Sequence, residues 1–406
     1  MIDPPFLPAC LANAKPGQKR MVLDEMRLLQ PKAESVFGAI PDQNAVWYVT
    51  RRGLQQSTRQ AVSQLKARWC CSNAQQHDSN QTPAIIDICG GLGGDAISFA
   101  YHANVLSIDS DEVMTRYASA NAKVSGVAER ATFVTASAES DSFLSAAIRD
   151  RVILHLDPDR RRDGRRQTHV QDLSPSWDVI SKWLNRGQKA WVKLAPATKL
   201  ETSDLTRLPH PVRVWISSAR RVREQALLIG QWPNLPIKLG NRTAVVLRDN
   251  QTFGFSSDEP IGTSTIEAER VGRWLLDPDA AIRAAGLTAS FANRFGLRSL
   301  GGCSGFLTTD DTPNEQVHGL AKVGQVVETL ACREKKWKAF FRRSNTYPET
   351  IKVRGLDHNP SQIQQSCKAL GNTAVNMWLG RTTRNAFCAI TNSTTDSDLA
   401  ISPANH

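Results

Sequence analysis

The chain lacks most of the features that would set it apart from an ordinary packed protein. Its 406 residues contain no uninterrupted apolar run near the roughly 20 residues a membrane-spanning helix needs, so no helical membrane span is expected. Met1 to Lys19 lack the basic-then-apolar layout of a secretory signal. The eight cysteines fall at irregular spacing, two of them adjacent as Cys70-Cys71, with no C-x-x-C pair. That pattern fits neither a disulfide framework nor a zinc site. The eight histidines show no metal-ligand spacing either, so no metal is expected. No internal repeat is found. Together these absences describe a reduced, cytoplasmic protein.

What is present begins with charge. Fifty lysines and arginines against 39 acids give a net charge of +11, which is compatible with a polyanionic partner but also common in proteins that bind none. The length suits two or three domains. Residues 1–80 read as a helical leader and linker: Leu23, Met26, Leu28 and Leu29 recur at helical spacing before Pro31, and Leu54, Ala61, Leu65 and Trp69 do so further on. Residues 71–83 are polar and without period, as in a linker.

From Ala84 the pattern alternates. Strand-like runs fall at 84–89, 104–108, 131–135, 151–156, 189–194, 212–217 and 225–230, with helix-like stretches at 95–102, 111–123, 138–148 and 174–185. Such alternation implies an α/β fold with a parallel, doubly wound sheet and right-handed crossovers. A short turn at Arg220-Arg221 joins the last two runs as a hairpin, giving the sheet an antiparallel edge. Seven strands with a closing hairpin form the layout of a Rossmann-like class I methyltransferase domain, assigned to 81–250. A smaller α+β domain follows over 260–390, in which Asp277 reads as a helix N-cap with Pro278 at the first helical position. Residues 391–406, rich in Ser, Thr, Asn and Asp, read as a disordered tail.

The segment Ile85-Ile86-Asp87-Ile88-Cys89-Gly90-Gly91-Leu92-Gly93-Gly94-Asp95 is an apolar strand that runs into a glycine loop and a helix start. Glycines such as Gly91 and Gly93 let the backbone turn tightly and approach a ligand, and the helix beginning at Asp95 offers free N–H groups to an anion. Asp109 ends the next strand, where a carboxylate accepts ribose hydroxyls. Gly91-x-Gly93-x-x-Ala96 also satisfies a dinucleotide fingerprint. Asp87 separates the two readings: an acid two residues before the loop's glycines would repel a pyrophosphate, whereas S-adenosylmethionine (SAM) brings an ammonium group that an acid attracts. SAM is therefore the expected cofactor. After the third strand Thr135-Ala136-Ser137-Ala138 precedes Glu139, so adenine contacts fall to Ser137 or to backbone.

The fourth strand, Val152 to Leu156, stops at Asp157-Pro158-Asp159-Arg160-Arg161. Ligands in open α/β sheets sit beyond the carboxyl ends of the strands, so this peptide faces the methyl donor. Asp157 is a candidate for accepting an N–H hydrogen bond from the methylated group, and Pro158 for holding the strand end rigid. A plain Asp-Pro turn is the alternative. No aromatic follows, so base stacking from this loop is not expected. Five arginines lie within Arg160–Arg166, and Arg160 and Arg161 are candidate phosphate contacts, with a solvated basic loop as the alternative; Lys193 in Lys193-Leu194-Ala195-Pro196 is either a substrate contact or a surface charge. Arg333 to Arg343 interleaves bases with aromatics, which suits either a nucleic-acid-binding helix or an amphipathic helix that buries Trp337, Phe340 and Phe341. Cys303 has no nearby partner and reads as a turn residue.

These motifs, with the run Trp47 to Thr58 in the leader and Asp277-Pro278-Asp279-Ala280-Ala281-Ile282-Arg283-Ala284 and Ile351-Lys352-Val353-Arg354-Gly355-Leu356-Asp357 in the last third, resemble bacterial class I SAM-dependent methyltransferases that carry a C-terminal THUMP-like domain. Gln55 and Ser57 depart from that family's usual acid and alanine. The resemblance implies a methyltransferase whose appended domain looks like RNA-capture modules. The resulting expectation is methyl transfer to structured RNA, with a small-molecule or protein substrate, or a non-catalytic SAM- or RNA-binding module, as the alternatives.

Overall fold

In the computed structural model of the chain, residues 15–40, 42, 45–74, 84–139, 152–159, 161–162, 165–166, 169–186, 188–259, 264–302 and 305–392 are described. The chain divides into two compact units at Gln251/Thr252. No helix among the described residues is long and apolar enough to cross a membrane.

The first unit opens with three helices, α1 (Pro16–Phe37), α2 (Arg51–Gln56) and α3 (Gln60–Ala74). Helix α1 runs through Pro31 instead of ending before it. The residues beyond the proline explain this: Ala33 and Val36 are 0% and 5% exposed, and their burial offsets the single backbone bond that proline forfeits. The helices are followed by β1 (Ala84–Ile88), α4 (Gly94–Ala100), β2 (Asn104–Asp109), α5 (Glu112–Val124), β3 (Ala131–Thr135) and β4 (Ile153–Leu156). Strands β5 (Arg161–Arg162) and β6 (Arg165–Arg166) form a small antiparallel hairpin. Then come α6 (Trp177–Leu184), β7 (Ala190–Leu194), α7 (Thr202–Leu205), β8 (Val212–Ser218), β9 (Arg221–Ile229) and β10 (Arg242–Arg248). From β10 inward the sheet order is β10-β8-β9-β7-β4-β1-β2-β3.

Strands β1 to β4 and β7 are parallel neighbours, and β9 runs antiparallel between β7 and β8. This is the Rossmann-like α/β sheet with its closing hairpin, turned at Ala219 and Arg220, whose φ values are 50° and 59°. The sheet, nine-stranded, goes further than the seven strands the sequence pattern indicates. Strand β10 lies parallel to β8, and Asp249 and Asn250, at φ 49° and 62°, then form the two-residue turn into β11 (Gln251–Ser257). The expected helix over 138–148 lies outside the described residues from 140 onward, as do 75–83 of the linker and 393–406 of the tail.

The leader shares its core with the sheet. Met26, Leu29, Trp47, Leu54, Leu65 and Trp69 belong to one hydrophobic cluster with sheet and α4 residues such as Ile85, Phe99, Trp191 and Val245. Hydrogen bonds fix the register of this packing. The Gln30 side chain brackets Trp47, donating to its carbonyl and accepting from its N–H, both at 2.9 Å. Asn121 on α5, fully buried, accepts from Tyr48 N–H at 2.8 Å and donates to the carbonyls of Tyr48 and Leu92, each at 3.0 Å. One amide thus ties the leader to the glycine loop.

The second unit is built on β12 (Trp274–Pro278), α8 (Ala280–Ala284), α9 (Thr288–Arg294), β13 (Arg298–Leu300), β14 (Phe306–Thr309), α10 (Glu315–Leu320) and β15 (Ala321–Ala331). It continues with α11 (Glu334–Ser344), β16 (Thr346–Val353), α12 (Pro360–Cys367), β17 (Thr373–Arg381) and β18 (Ala386–Asn392). Its sheet has the order β13-β14-β12-β15-β18-β17-β16. Helix α11 buries Trp337, Phe340 and Phe341 against this sheet and leaves its bases outward, the amphipathic alternative of the two readings. The reading of Asp277 as a helix cap is corrected. Strand β12 extends through Pro278, the cap is Asp279, which accepts from Ala281 N–H at 2.9 Å, and the Asp277 carboxylate is instead committed to three cations. Cys303 lies outside the described residues.

Replacing Asn121 with alanine strips a partner from three buried backbone groups, each worth roughly 1–3 kcal/mol when left unsatisfied. Partial relaxation leaves an expected loss of about 2–4 kcal/mol, read as a lowered denaturant midpoint. An unchanged midpoint would show that the leader is held by its apolar contacts alone.

Candidate active site

The loop after β1 is shaped by steric necessity. A Cβ on Gly90 would stand 2.1 Å from Ser107 Oγ and 2.7 Å from Asp87 Oδ2, so no side chain fits there. Cys89 and Gly90 both donate their N–H to Ile108 O, at 2.8 and 3.1 Å, and Asp157 N–H donates to Ile88 O at 3.0 Å. The carboxyl ends of β1, β2 and β4 are thereby drawn together. Gly93, at φ 83°, turns the chain into α4. Asp109 accepts from Gly91 N–H at 2.8 Å and from Asp111 N–H at 2.9 Å. Burial raises its carboxyl above the ordinary range, against the pull of those two N–H groups.

Beneath the loop lies a continuous cluster of buried charge. Asp87, 0% exposed, accepts from Ser107 Oγ at 3.0 Å and faces His155 Nδ1 at 2.7 Å. His155 Nε2 lies 3.2 Å from Lys66 Nζ. An ammonium group only donates, so Nε2 is the acceptor of that pair and Nδ1 is left to donate to Asp87. Lys66, 0% exposed and contributed by α3 of the leader, also pairs with Asp95 at 3.0 Å and Glu224 at 3.2 Å. Thr58 donates to Asp95 Oδ2 at 2.7 Å and accepts from Lys193 Nζ at 3.0 Å. Lys193 in turn holds Asp157 Oδ2 at 2.5 Å. Burial works against ionisation of Asp95, but the charge of Lys66, joined by the neighbouring His155 and Lys193 and the Thr58 hydrogen bond, outweighs it and holds the carboxyl well below its usual range. Burial likewise opposes the charge on Lys66, and Asp95 and Glu224 together raise it above the usual lysine range.

Above the cluster opens a cavity of about 510 Å³, the size of a small-molecule site. Of the residues expected from sequence, Gly91, Asp95, Asp109, Asp157 and Pro158 line it. Gly93 shapes the loop from outside the lining, packed against Ala118. Asp87 is not in the wall, and its carboxylate is engaged below the loop by Ser107 and His155. Lys193 acts from behind Asp157. Ala136, Ser137, Ala138 and Glu139 form the wall beyond β3. Arg160 lies outside the described residues; Arg161 is placed as backbone in β5.

Other contributors escaped the sequence reading. Arg52 and Gln56 from the leader donate to Asp159 at 3.2 and 3.3 Å, while Asp159 and Ser174 exchange backbone hydrogen bonds at 2.9 and 3.0 Å. The peptide after β4 is therefore pinned on two sides. Of the buried members Thr58, Lys66 and His155, only His155 carried an available signal, a polar residue inside the apolar run Ile153–Leu156.

The orphan atom of this site is Asp95 Oδ1, which is buried and without a hydrogen-bond partner. An uncompensated carboxylate oxygen in a cavity wall calls for a cationic or donor group, and the ammonium of an amino acid moiety meets that need. With a rigid glycine loop and Asp109 beside it, the arrangement fits a nucleoside carrying an amino acid tail.

Comparison with known proteins agrees. Residues 82–174 match the family described as RNA cap guanine-N2 methyltransferase. Uncharacterised S-adenosylmethionine-dependent methyltransferases from two strains of Mycobacterium tuberculosis, CDC 1551 / Oshkosh and ATCC 25618 / H37Rv, are each 27% identical over 364 residues, 89% of this chain and 92% of theirs. The crystal structure of a Porphyromonas gingivalis W83 protein described as a methyltransferase superposes with a TM-score of 0.72 at 18% identity, covering 94% of this chain and 92% of that one. The Rossmann-like α/β fold is shared with that methyltransferase structure. The chain is a SAM-dependent methyltransferase, and SAM is its cofactor.

Removing the cation from the buried cluster is expected to be costly. Lys66→Met leaves Asp95 and Glu224 facing each other uncompensated, a loss of about 3–5 kcal/mol near neutral pH. In the wild type the lowered Asp95 contributes stability that is complete above the ordinary carboxylate pKa of about 4 and is lost as pH falls through the depressed value. The raised Lys66 contributes stability that is complete below the ordinary lysine pKa of about 10.4 and is lost as pH rises through the elevated one. The deficit of Lys66→Met should therefore shrink on acidification from neutral pH, as the exposed-charge penalty is relieved by protonation. Urea midpoints at neutral and mildly acidic pH check this; a deficit independent of pH would show that lost packing, not lost charge, is responsible.

Proposed function

We propose that the enzyme methylates structured RNA, with Asp95 and Asp109 holding the cofactor and Asp157 positioning the target nitrogen. The observation that carries the substrate reading is the arginine hairpin. The chain leaves the cavity wall at Pro158-Asp159, and the backbone of Arg161-Arg162 and Arg165-Arg166 forms β5 and β6 directly after it, so four arginines follow the wall of the methyl-donor site closely along the chain. Guanidinium groups suit phosphate oxygens. The match of residues 82–174 to a family described as acting on RNA supports the same reading. On this reading the second unit is a THUMP-like domain that captures the RNA.

SAM supplies an electrophilic methyl group, so the protein's task is alignment. Asp95 Oδ1 accepts the ammonium of the cofactor, the role the sequence suggested for Asp87, and Asp109 accepts the ribose hydroxyls. Asp87 acts one layer deeper, orienting His155 and through it Lys66. At the reaction end Lys193 occupies Asp157 Oδ2 and leaves Oδ1 open to accept an N–H from the incoming amino group. Asp157 thereby orients the nitrogen toward the methyl group. A hydrogen bond of that kind is worth about 1.5–3 kcal/mol. Pro158 stiffens the strand end, and Asp159, tied to Arg52 and Gln56, keeps the rim closed against the leader.

Asp95→Asn and Asp109→Ala should each weaken SAM binding by roughly tenfold to a hundredfold, as one or two charge-assisted hydrogen bonds are lost. Calorimetry reads this directly, and unchanged affinity in either variant would remove that contact. Asp157→Ala should leave SAM affinity within about twofold while lowering turnover by about tenfold or more; full activity would end its positioning role. For the substrate, labelled SAM is supplied with total RNA from a strain lacking the protein. Incorporation into RNA supports the proposal. Label confined to protein or small metabolites would replace it with the corresponding alternative.

A further inference from the structure

The two motifs of the last third that the reaction leaves unused meet in the second unit. Asp277, at the end of β12, has a side chain only 3% exposed, yet it serves three cations. Arg283 Nη2 reaches Oδ1 at 2.8 Å, Lys352 Nζ reaches Oδ2 at 2.9 Å, and Arg354 Nη2 spans both oxygens at 3.0 and 3.3 Å. These groups come from α8, from β16 and from the residue just after it, so the cluster is assembled by the fold and not by one stretch of chain. The single carboxylate of Asp277 is thus shared by Lys352 and Arg354 as well as Arg283. Lys352 and Arg354 pair with no other carboxylate among the described residues, and their side chains are 26% and 36% exposed, so their outer faces remain within reach of a ligand.

A further cation stands beside them. The stem of Arg381, at the end of β17, packs over Gly355 and Gly301. A Cβ on Gly301 would lie 2.6 Å from Arg381 O and 3.2 Å from its Cγ, so glycine there is what lets that turn close on the arginine. Arg381 is exposed and makes no ion pair among the described residues. An ion network that served the fold alone would match its charges, because surplus buried charge is destabilising. Here the surplus is positive, and Lys352, Arg354 and Arg381 all keep solvent-exposed surface.

We propose that this cluster is a phosphate-binding site, with Lys352, Arg354 and Arg381 as the contacts and Asp277 and Arg283 as the buried frame that aims them. A phosphate group carries the charge that the surplus requires, and its oxygens match the guanidinium fork, whereas a single carboxylate ligand would leave the cluster cationic. The site stands on the charges of the second unit and does not depend on which substrate the methyl group reaches.

The test uses the full chain and the variants Arg354→Gln and Arg381→Gln, which leave Asp277, Arg283 and Lys352 in place. Binding of inorganic phosphate is followed by calorimetry, and binding of a short single-stranded oligoribonucleotide by fluorescence anisotropy over a salt series. Affinity for at least one probe should fall severalfold in each variant. If the oligoribonucleotide is the ligand, the slope of log affinity against log salt should drop by about 0.7 for each contact removed. A loss confined to inorganic phosphate assigns the site to a free phosphate or a mononucleotide; a loss confined to the oligomer assigns it to an RNA backbone. SAM affinity and thermal midpoint, measured in parallel, should stay at wild-type values. Wild-type affinity for both probes in both variants would overturn the proposal and leave the cluster a purely structural one.

Discussion

The site depends on one ammonium group. Lys66 Nζ sits without solvent contact among Asp95, Glu224 and the imidazole of His155, and each of those partners belongs to a different element. Glu224 lies on β9, His155 on β4 and Asp95 in the first turn of α4, while the lysine itself comes from a helix that precedes the sheet in sequence. Burying so much charge is tolerable only when every member is paired. The reward is rigidity: Asp95 and, through Thr58 and Lys193, Asp157 are held by charge-assisted bonds before any ligand arrives.

The glycine loop, the alternating strands and the closing hairpin were legible because each has a local signature. Period, turn residues and apolar runs are properties of short windows, and they located β1 to β4 and β7 to β9 within a few residues. Asp109, Asp157 and Pro158 were legible for the same reason, as residues that end strands. Asp87 shows where such reasoning runs out. Its sequence position is that of a cofactor contact, but its partner His155 is 68 residues away, and only the parallel register of β1 with β4 brings the two side by side.

Lys66 is a sharper case. In sequence it is a basic residue on an amphipathic helix, indistinguishable from a solvated charge. What buries it is the packing of α3 on α4, a long-range fact with no local trace. Asp277 was misread for a related reason: Asp-Pro-Asp favours a helix start wherever it occurs, and the cap did form, two residues later, because the first carboxylate had better partners in Arg283, Lys352 and Arg354. Strand β10 was missed because its apolar run, Thr243 to Leu247, is brief, although the Asp249-Asn250 turn that follows was a readable hairpin signal.

Three different carboxylates in this chain illustrate how environment divides labour among chemically identical groups. Asp87 is spent on architecture, Asp95 is half spent and half available, and Asp157 has one oxygen engaged by Lys193. The count of free lone pairs, and not exposure alone, separates them.

The placement of Lys66 also bears on where this catalytic fold begins. A fragment cut at Ala84 would keep every strand and every glycine of the nucleoside loop, yet two acids would be left in its interior with their counter-charge amputated. The helices ahead of the sheet are thus an integral organ of the folded unit, without which the Rossmann-like core would carry unmatched interior charge.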